Sequence, residues 1–316
     1  MTTDPAPLIP KVSLGRTGIV STKLGLGTAS WPRRVPFEQV VEMLQTALDA
    51  GIRHIDTAPK YLTEEVVGRA LQELDLPDDI VYATKAGCYS DPEIGVTYVA
   101  YRASQIYRSV ERSLKRLGTD HIHILHVHDV VTERIGEVFR KGGAIEALVD
   151  LKEQGVIGAV GMGTLGLEPL QAAVDSDLVD VLQIFHNYTL LNQSAAEHLI
   201  PSALAKGISI LNSAPYAGYI LATGAVEGAK YNYAPAPPEV LAATRRLQAV
   251  CEAKGVDLPT AATAFSLRSP DIDVTVPASG KPKRVAQWIA AMNAPLTDAD
   301  FAELLEAAGG QYALRR

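Results

Sequence analysis

The chain has 316 residues, 47% of them hydrophobic and 21% charged, which supports a sizeable core in one large domain or two ordinary ones. A net charge of −7 argues against nucleic acid or an anionic membrane as the main partner, although a local basic patch could still hold a phosphate. Two cysteines, Cys88 and Cys251, exclude a disulfide framework; no signal-peptide pattern and no run of transmembrane length occurs, so the expected setting is a reducing cytoplasm.

Taken in chain order, KVSLGRTGIVSTK (11–23) alternates around Arg16-Thr17-Gly18 and predicts a β-hairpin. Eight short apolar, β-branched runs follow, at 24–28, 53–58, 80–85, 121–129, 157–163, 180–187, 208–215 and 273–279. Helical periodicity fills the intervals. In FEQVVEMLQTALDAG the residues Val40, Val41, Leu44, Ala47 and Leu48 make one stripe, and Gly51 stops it. TEEVVGRALQEL opens on Thr63 as N-cap with acids in the first turn. Further helices are expected in ASQIYRSVERSLKRLG, GAIEALVDLKEQG, EPLQAAVDS, AAEHLIPSALAKG, PPEVLAATRRLQAVCEAKG and PKRVAQWIAAM. The Pro-rich YNYAPAPPEV (231–240) reads as a loop before a helix, and FAELLEAAGGQYALRR could pack on its own chain or on a neighbour.

Eight strands, each followed by a helical segment, predict an α/β chain folded as a (β/α)8 TIM barrel in a single domain. The boundaries expected are about 11–23 for a hairpin plugging the bottom, 24–291 for the barrel and 292–316 for a C-terminal segment. A doubly wound open sheet is the alternative. Against it, LGLGTASWPRR lacks a G-x-G-x-x-G followed by an acid at the right distance.

Chemistry in a barrel belongs at the C-terminal strand ends. Strands two, three and four end on Asp56, Lys85 and His128, and Tyr61 stands in the loop after Asp56. A tyrosine with a free pKa near ~10 is a poor proton shuttle at neutral pH. A nearby lysine would favour its phenolate, a buried acid would keep that lysine charged, and a histidine could orient the substrate oxygen. Each residue alone has a plainer role: a turn acid, a packing aromatic, an exposed strand-end lysine, a structural histidine. In HIHILHVHD the alternate histidines raise the question of a metal, but Asp129 should point away from His128 and no further ligand set is evident, so none is expected. Lys85 could instead form a Schiff base, as in lyases built on barrels.

These stretches also carry a family resemblance. GIRHIDTAPKY, YATK, LGTDHIHILHVHD and VPAS…KR resemble the aldo-keto reductases over nearly the whole chain. The resemblance implies a (β/α)8 barrel, a nicotinamide dinucleotide, and a catalytic set at Asp56, Tyr61, Lys85 and His128, with His126 as the rival that counting from LGTD sets aside. GGAIEALVDLKEQGVIGAVGMG, NYTLLNQSAAEHLIPSALAKGISILNSAPYAGYILATG and YNYAPAPPEV are similar to the sugar-dehydrogenase branch. That branch implies oxidation of an aldose of the L-fucose, D-threo-aldose or L-galactose type to a lactone. Oxidation of pyridoxal, or NADPH-dependent reduction of a bulkier carbonyl, is the alternative. A nicotinamide-binding sensor or partner subunit is a remote one.

Departures from the family pattern direct the cofactor expectations. Tyr61-Leu62 replaces the usual Tyr-Gly, and Gly163-Thr164 replaces a Ser-Asn that holds the nicotinamide amide, so Gln183 and Asn187 become the expected anchors. Ser213 stands where a tyrosine often stacks on the ring, leaving Tyr216 or Phe185 to compensate, and Pro215 lies in the same loop. The loop VPASGKPKRV opens a helix, a common phosphate site; Ser279, Gly280, Lys281 and Arg284 are expected there. Members that prefer NADP usually carry a cation where Gly280 stands, which leans this chain to NAD over NADP. Trp31, Tyr89, Tyr216 and Tyr219 should shape a pocket for a small molecule, sugar or pyridoxal-like. The oligomeric state is not legible.

Overall fold

The computed structural model describes residues 9–31, 35–91 and 95–309. Eight parallel strands follow one another around a barrel: β1 (Gly25–Gly27), β2 (His54–Asp56), β3 (Val81–Ala86), β4 (Ile122–His128), β5 (Ile157–Thr164), β6 (Val181–Phe185), β7 (Ser209–Ser213) and β8 (Val274–Val276). Each pairs with its sequence neighbour, and parallel bridges Leu24↔Thr275 and Gly27↔Ala278 join the first strand to the last. This is the expected (β/α)8 fold.

Side chains alternate across each strand, so every second residue enters the barrel. Val81, Ile124, Ala159, Val181 and Leu211 make the lower apolar layer. Two or four residues further along the same faces stand Lys85, His128, Gly163, Gln183 and Ser213. The period of two therefore brings the polar residues to one rim.

The hairpin forms as expected, with Lys11–Ser13 antiparallel to Val20–Thr22. Its turn drops Leu14, fully buried, into that lower layer, where a large-to-small change would cost about 2–5 kcal/mol. Gly15 makes the approach possible: its φ is +46°, and a Cβ there would lie 2.2 Å from the Gly207 carbonyl oxygen.

The helices α1 (Phe37–Asp49), α2 (Glu64–Gln72), α3 (Ala103–Leu117), α4 (Ala144–Glu153), α5 (Leu167–Ser176) and α6 (Leu199–Ala205) cover the outside after the first six strands. In α1 the buried stripe runs through Met43 as well, and Val41 is half-buried. Two expectations need correction. The helix packed between β7 and β8 is α7 (Leu258–Arg268), which the periodicity does not single out; Ala261 through Leu267 are all buried, so it has no polar face to alternate with. The helix Pro238–Ala253 is an addition outside it, followed in the ring by α8 (Pro282–Ala291). The stretch 231–240 is not simply a loop: Lys230–Tyr231 pairs with Ala234–Pro235 around Asn232 and Tyr233, both at positive φ.

The C-terminal helix Asp298–Ala308 packs on its own chain. A Thr297–Asp300 capping box starts it, and Lys254 bridges to Asp300 and Glu303. The last part of the expected C-terminal segment, 310–316, lies outside the described residues. Among the described residues no helix is long and apolar enough to cross a membrane.

Candidate active site

β2 ends on Asp56 and β3 carries Lys85, both almost fully buried. Lys85 Nζ donates to Asp56 Oδ1 at 2.7 Å, Oδ2 at 2.8 Å and the Thr57 carbonyl at 2.9 Å. Gln183 Nε2 reaches across from β6 to Asp56 Oδ2 at 3.1 Å. Burial pushes the Asp56 carboxyl up, opposed by the charge and hydrogen bonds of Lys85 and by Gln183. Three hydrogen bonds hold Lys85 Nζ in place, which opposes its use as a Schiff-base nucleophile.

Tyr61 closes the short 3₁₀ turn Pro59–Tyr61, which Leu62 ends in the left-handed region. Thr63 occupies the N-cap position of α2 but makes no cap bond; its hydroxyl lies 2.8 Å from Thr28 Oγ1 and 2.9 Å from Thr57 Oγ1, tying the turn to β1 and β2. Lys85 Nζ is 5.1 Å from the centre of the Tyr61 ring, and the His128 ring meets that ring edge-on at 5.5 Å. The expectation that Lys85 lowers the Tyr61 pKa is not what this arrangement gives. Desolvation, then the charges of Asp56 and Asp129, hold the phenol well above its usual value. Asp56 cancels much of the lysine's field, so Tyr61 is protonated. Burial pulls His128 down to about 3, so its imidazole is neutral, and Nδ1 has no hydrogen-bond partner.

Asp129 does not point away from His128. Its φ is +54°, which breaks the strand alternation and turns its carboxylate into the same cavity. Oδ1 stands 3.7 Å from His128 Nε2, and Oδ2 is ion-paired with Lys60 Nζ. The buried Tyr101 hydroxyl fixes this turn, 2.9 Å from the carbonyl oxygens of both His128 and Asp129. Gly87 leaves room for that ring: a Cβ there would sit 2.6 Å from Tyr101.

Lys60, Tyr61, Lys85, His128 and Asp129 line a cavity of about 380 Å³ that also includes Trp31, Gly163, Thr164, Gln183, Phe185 and Ser213. A narrower recess of about 60 Å³ shares Tyr61, Phe185, Ser213 and Tyr233 with it and continues past Ser30, His186 and Tyr216. Buried polar atoms without partners border the two spaces: Gln183 Oε1, Trp31 Nε1, Ser30 Oγ and both ring nitrogens of His186. Such atoms fit a ligand that both donates and accepts hydrogen bonds.

Several expected residues stand elsewhere. Asn187 lines neither space; its amide donates to the Leu165 carbonyl at 2.7 Å and its oxygen faces Asn192 and Ser194. Tyr89 faces a separate cavity beside Tyr98 and Arg112. Tyr216 borders the recess, but its hydroxyl turns into the core, 2.8 Å from Thr263 and accepting from Trp288 at 2.7 Å. Tyr219 lines the recess from its exposed rim. Pro215 is buried without lining it. The loop after β8 reaches the recess through Ala278, while Lys281 lines an open depression beside Gln39, whose amide donates to the Gly280 carbonyl. Ser279 Oγ accepts from the Lys281 amide at 3.3 Å, and Arg284 bonds Gln287 at 2.9 Å.

The residues not anticipated are Lys60, Asp129, Tyr233, Ser30 and His186. Tyr233 comes from the tip of the 230–235 hairpin and stacks on Phe185, centroids 5.9 Å apart and 17° between planes. Among the described residues no group of three or more His, Cys, Asp or Glu side chains could hold a metal ion.

Comparison with known proteins places nearly the whole chain in one family. The model of the Aldo/keto reductase family matches residues 23–308. Pyridoxal 4-dehydrogenase of Microbacterium luteolum is 29% identical over 88% of this chain and 91% of its own. D-threo-aldose 1-dehydrogenase of a Pseudomonas species is 29% identical over 85% of this chain and 89% of its own. The holo form of an aldo-keto reductase from Bacillus halodurans superposes with a TM-score of 0.80 over 97% of this chain and 99% of its own, at 22% identity, a likeness of fold.

Proposed function

The chain belongs to the aldo/keto reductase family, and from that premise we propose that it is a dehydrogenase oxidising an aldose at the hemiacetal carbon to a lactone, with NAD as its preferred cofactor. It is an oxidoreductase acting on CH–OH or carbonyl groups, and its family uses NAD(P)(H). The observation that carries the reading is the rim constellation itself: Lys85 chelating Asp56 at 2.7 and 2.8 Å beneath the Tyr61 ring, with His128 edge-on beside it.

The unpartnered polar atoms bordering the two spaces support a nicotinamide cofactor there. Thr164, Gln183 and Ser213 would meet its carboxamide end, His186 and Ser30 the recess, and Ser279, Lys281 and Arg284 its phosphates. Gly280 supplies no cation there, which favours NAD over NADP. When bound, the cofactor supplies the carbon that takes or gives the hydride.

The protein's own residues handle the proton. In oxidation the fraction of Tyr61 present as phenolate accepts the substrate hydroxyl's proton at Oη; in reduction the Tyr61 phenol gives its proton to the carbonyl oxygen and is left as phenolate. Asp56 fixes the position of Lys85, whose ammonium stabilises the phenolate through space. His128, neutral, orients the reacting oxygen by a hydrogen bond. Trp31 presents an aromatic wall suited to the C–H side of a sugar.

A second reading, carbonyl reduction, is favoured by one observation: Tyr61 is held in the protonated form that a proton donor needs. Nicotinamide absorbance with NAD⁺ or NADP⁺ and a panel of aldoses plus pyridoxal tests the first reading. Turnover of an aldose with NAD⁺ supports it. Turnover confined to NADPH and carbonyl substrates supports the second.

A further inference from the structure

We propose that Lys60 and Asp129 form a clamp for two adjacent hydroxyl groups, so that the substrate is a polyhydroxylated ring seated with a vicinal diol on this pair. The inference deepens the aldose reading of the site and rests on it.

The first support is conformational. Asp129 adopts a φ of +54°, in the left-handed region that few residues other than glycine, asparagine and aspartate enter. Here the consequence is specific. An extended Asp129 would continue the strand and send its carboxylate away from the barrel interior. The observed turn, pinned by Tyr101, places it beside His128 and in the cavity.

The second support is the partner. Lys60 sits one residue before Tyr61, and its ammonium meets Asp129 across the cavity wall. Both side chains are 34% exposed, open enough to touch a ligand and enclosed enough for the contact to matter. A carboxylate only accepts and an ammonium only donates. Two neighbouring hydroxyls answer both, each accepting from Lys60 while donating to Asp129 or to the next hydroxyl. Trp31 adds an indole N–H, buried and without a partner, on the same cavity. A ligand without hydroxyls would cover this ion pair and replace none of the water it loses, at a desolvation cost. A flat pyridine ring does not present two adjacent tetrahedral C–OH groups.

The plainer role is a fastener: the ion pair would merely hold the Pro59–Tyr61 turn against the end of β4. The two roles separate in a ratio of rates. The full-length enzyme with saturating cofactor is assayed on the aldose it oxidises fastest and on the 2-deoxy and 3-deoxy forms of that sugar. The wild type is expected to favour the parent sugar in kcat/KM by a hundredfold or more over at least one deoxy form. In Lys60→Met, and in Asp129→Asn where it folds, that preference should fall below tenfold, with most of the loss on the parent sugar. A fastener would slow parent and deoxy sugars alike and leave the ratio intact, which would overturn the clamp. A wild-type preference under tenfold would overturn it too. If the wild type oxidises no aldose, the aldose reading itself fails and takes the clamp with it.

Discussion

Lys85 commits all three ammonium protons to one place: both carboxylate oxygens of Asp56 and the carbonyl of the residue after it. The pair is thus an anchored charge, not a mobile one, and it acts on Tyr61 through space at 5.1 Å from the ring centre. Asp56→Asn would leave the ammonium buried without a counter-ion. We expect roughly 3–5 kcal/mol of lost stability in urea denaturation and at least a hundredfold lower kcat. A loss under about 1 kcal/mol would mean that Lys85 without Asp56 is not left as an uncompensated buried charge.

Direction and pH should be linked through Tyr61. Its phenol is held above the ordinary range by burial and by Asp56, so the proton-accepting form is scarce at pH 7 and grows tenfold for each unit of pH below that raised value. Oxidation should therefore rise with pH through 9, while reduction, which uses the protonated phenol, should stay level from about 6 to 9. His128, down at about 3, stays neutral throughout and adds no limb in this window. An oxidation profile already flat at pH 7 would contradict the assignment.

Acid should unfold the barrel early. His54 and His128 are held down at about 3 and His186 at about 4, chiefly by burial, and His126 lies well below its usual value for the same reason. In the unfolded chain each takes up a proton near ~6.5. Below that pH the unfolded state binds more protons, so stability present above ~6.5 is lost as pH falls towards 3–4, by up to about 1.4 kcal/mol per pH unit for each histidine. The Tm should drop steadily from pH 7 to pH 4.5; a Tm constant across that range would show that these histidines charge without unfolding.

Cofactor choice should respond to the loop after β8. Gly280→Arg would place a cation beside Lys281 and Arg284, where a ribose phosphate is expected. The KM for NADP⁺ should fall by tenfold or more with little change for NAD⁺. Equal effects on both would place the phosphate elsewhere.

The sequence made some of this legible because the physics is local. Period-two alternation puts Asp56, Lys85 and His128 on inward faces at strand ends, and glycine-marked turns frame the hairpin at 11–23. It hid what depends on exceptions or on distant contacts. Asp129 escaped the alternation rule through one positive φ. Tyr233 reached the site from a turn lacking the usual Asn-Gly signal, and Tyr216 was drawn away by Trp288, 72 positions along the chain. Helix 258–268 lacked a polar face, so nothing in its pattern separated it from its surroundings.

The most direct test is Tyr61→Phe, which removes one oxygen and keeps the ring against Lys85 and His128. Nicotinamide turnover with the best substrate, in both directions, is measured beside cofactor affinity by fluorescence titration. The account predicts a fall in kcat of about 10² to 10⁴ with cofactor affinity within a few-fold of wild type. A Tyr61→Phe enzyme that turns over at the wild-type rate would show that the proton passes through another group.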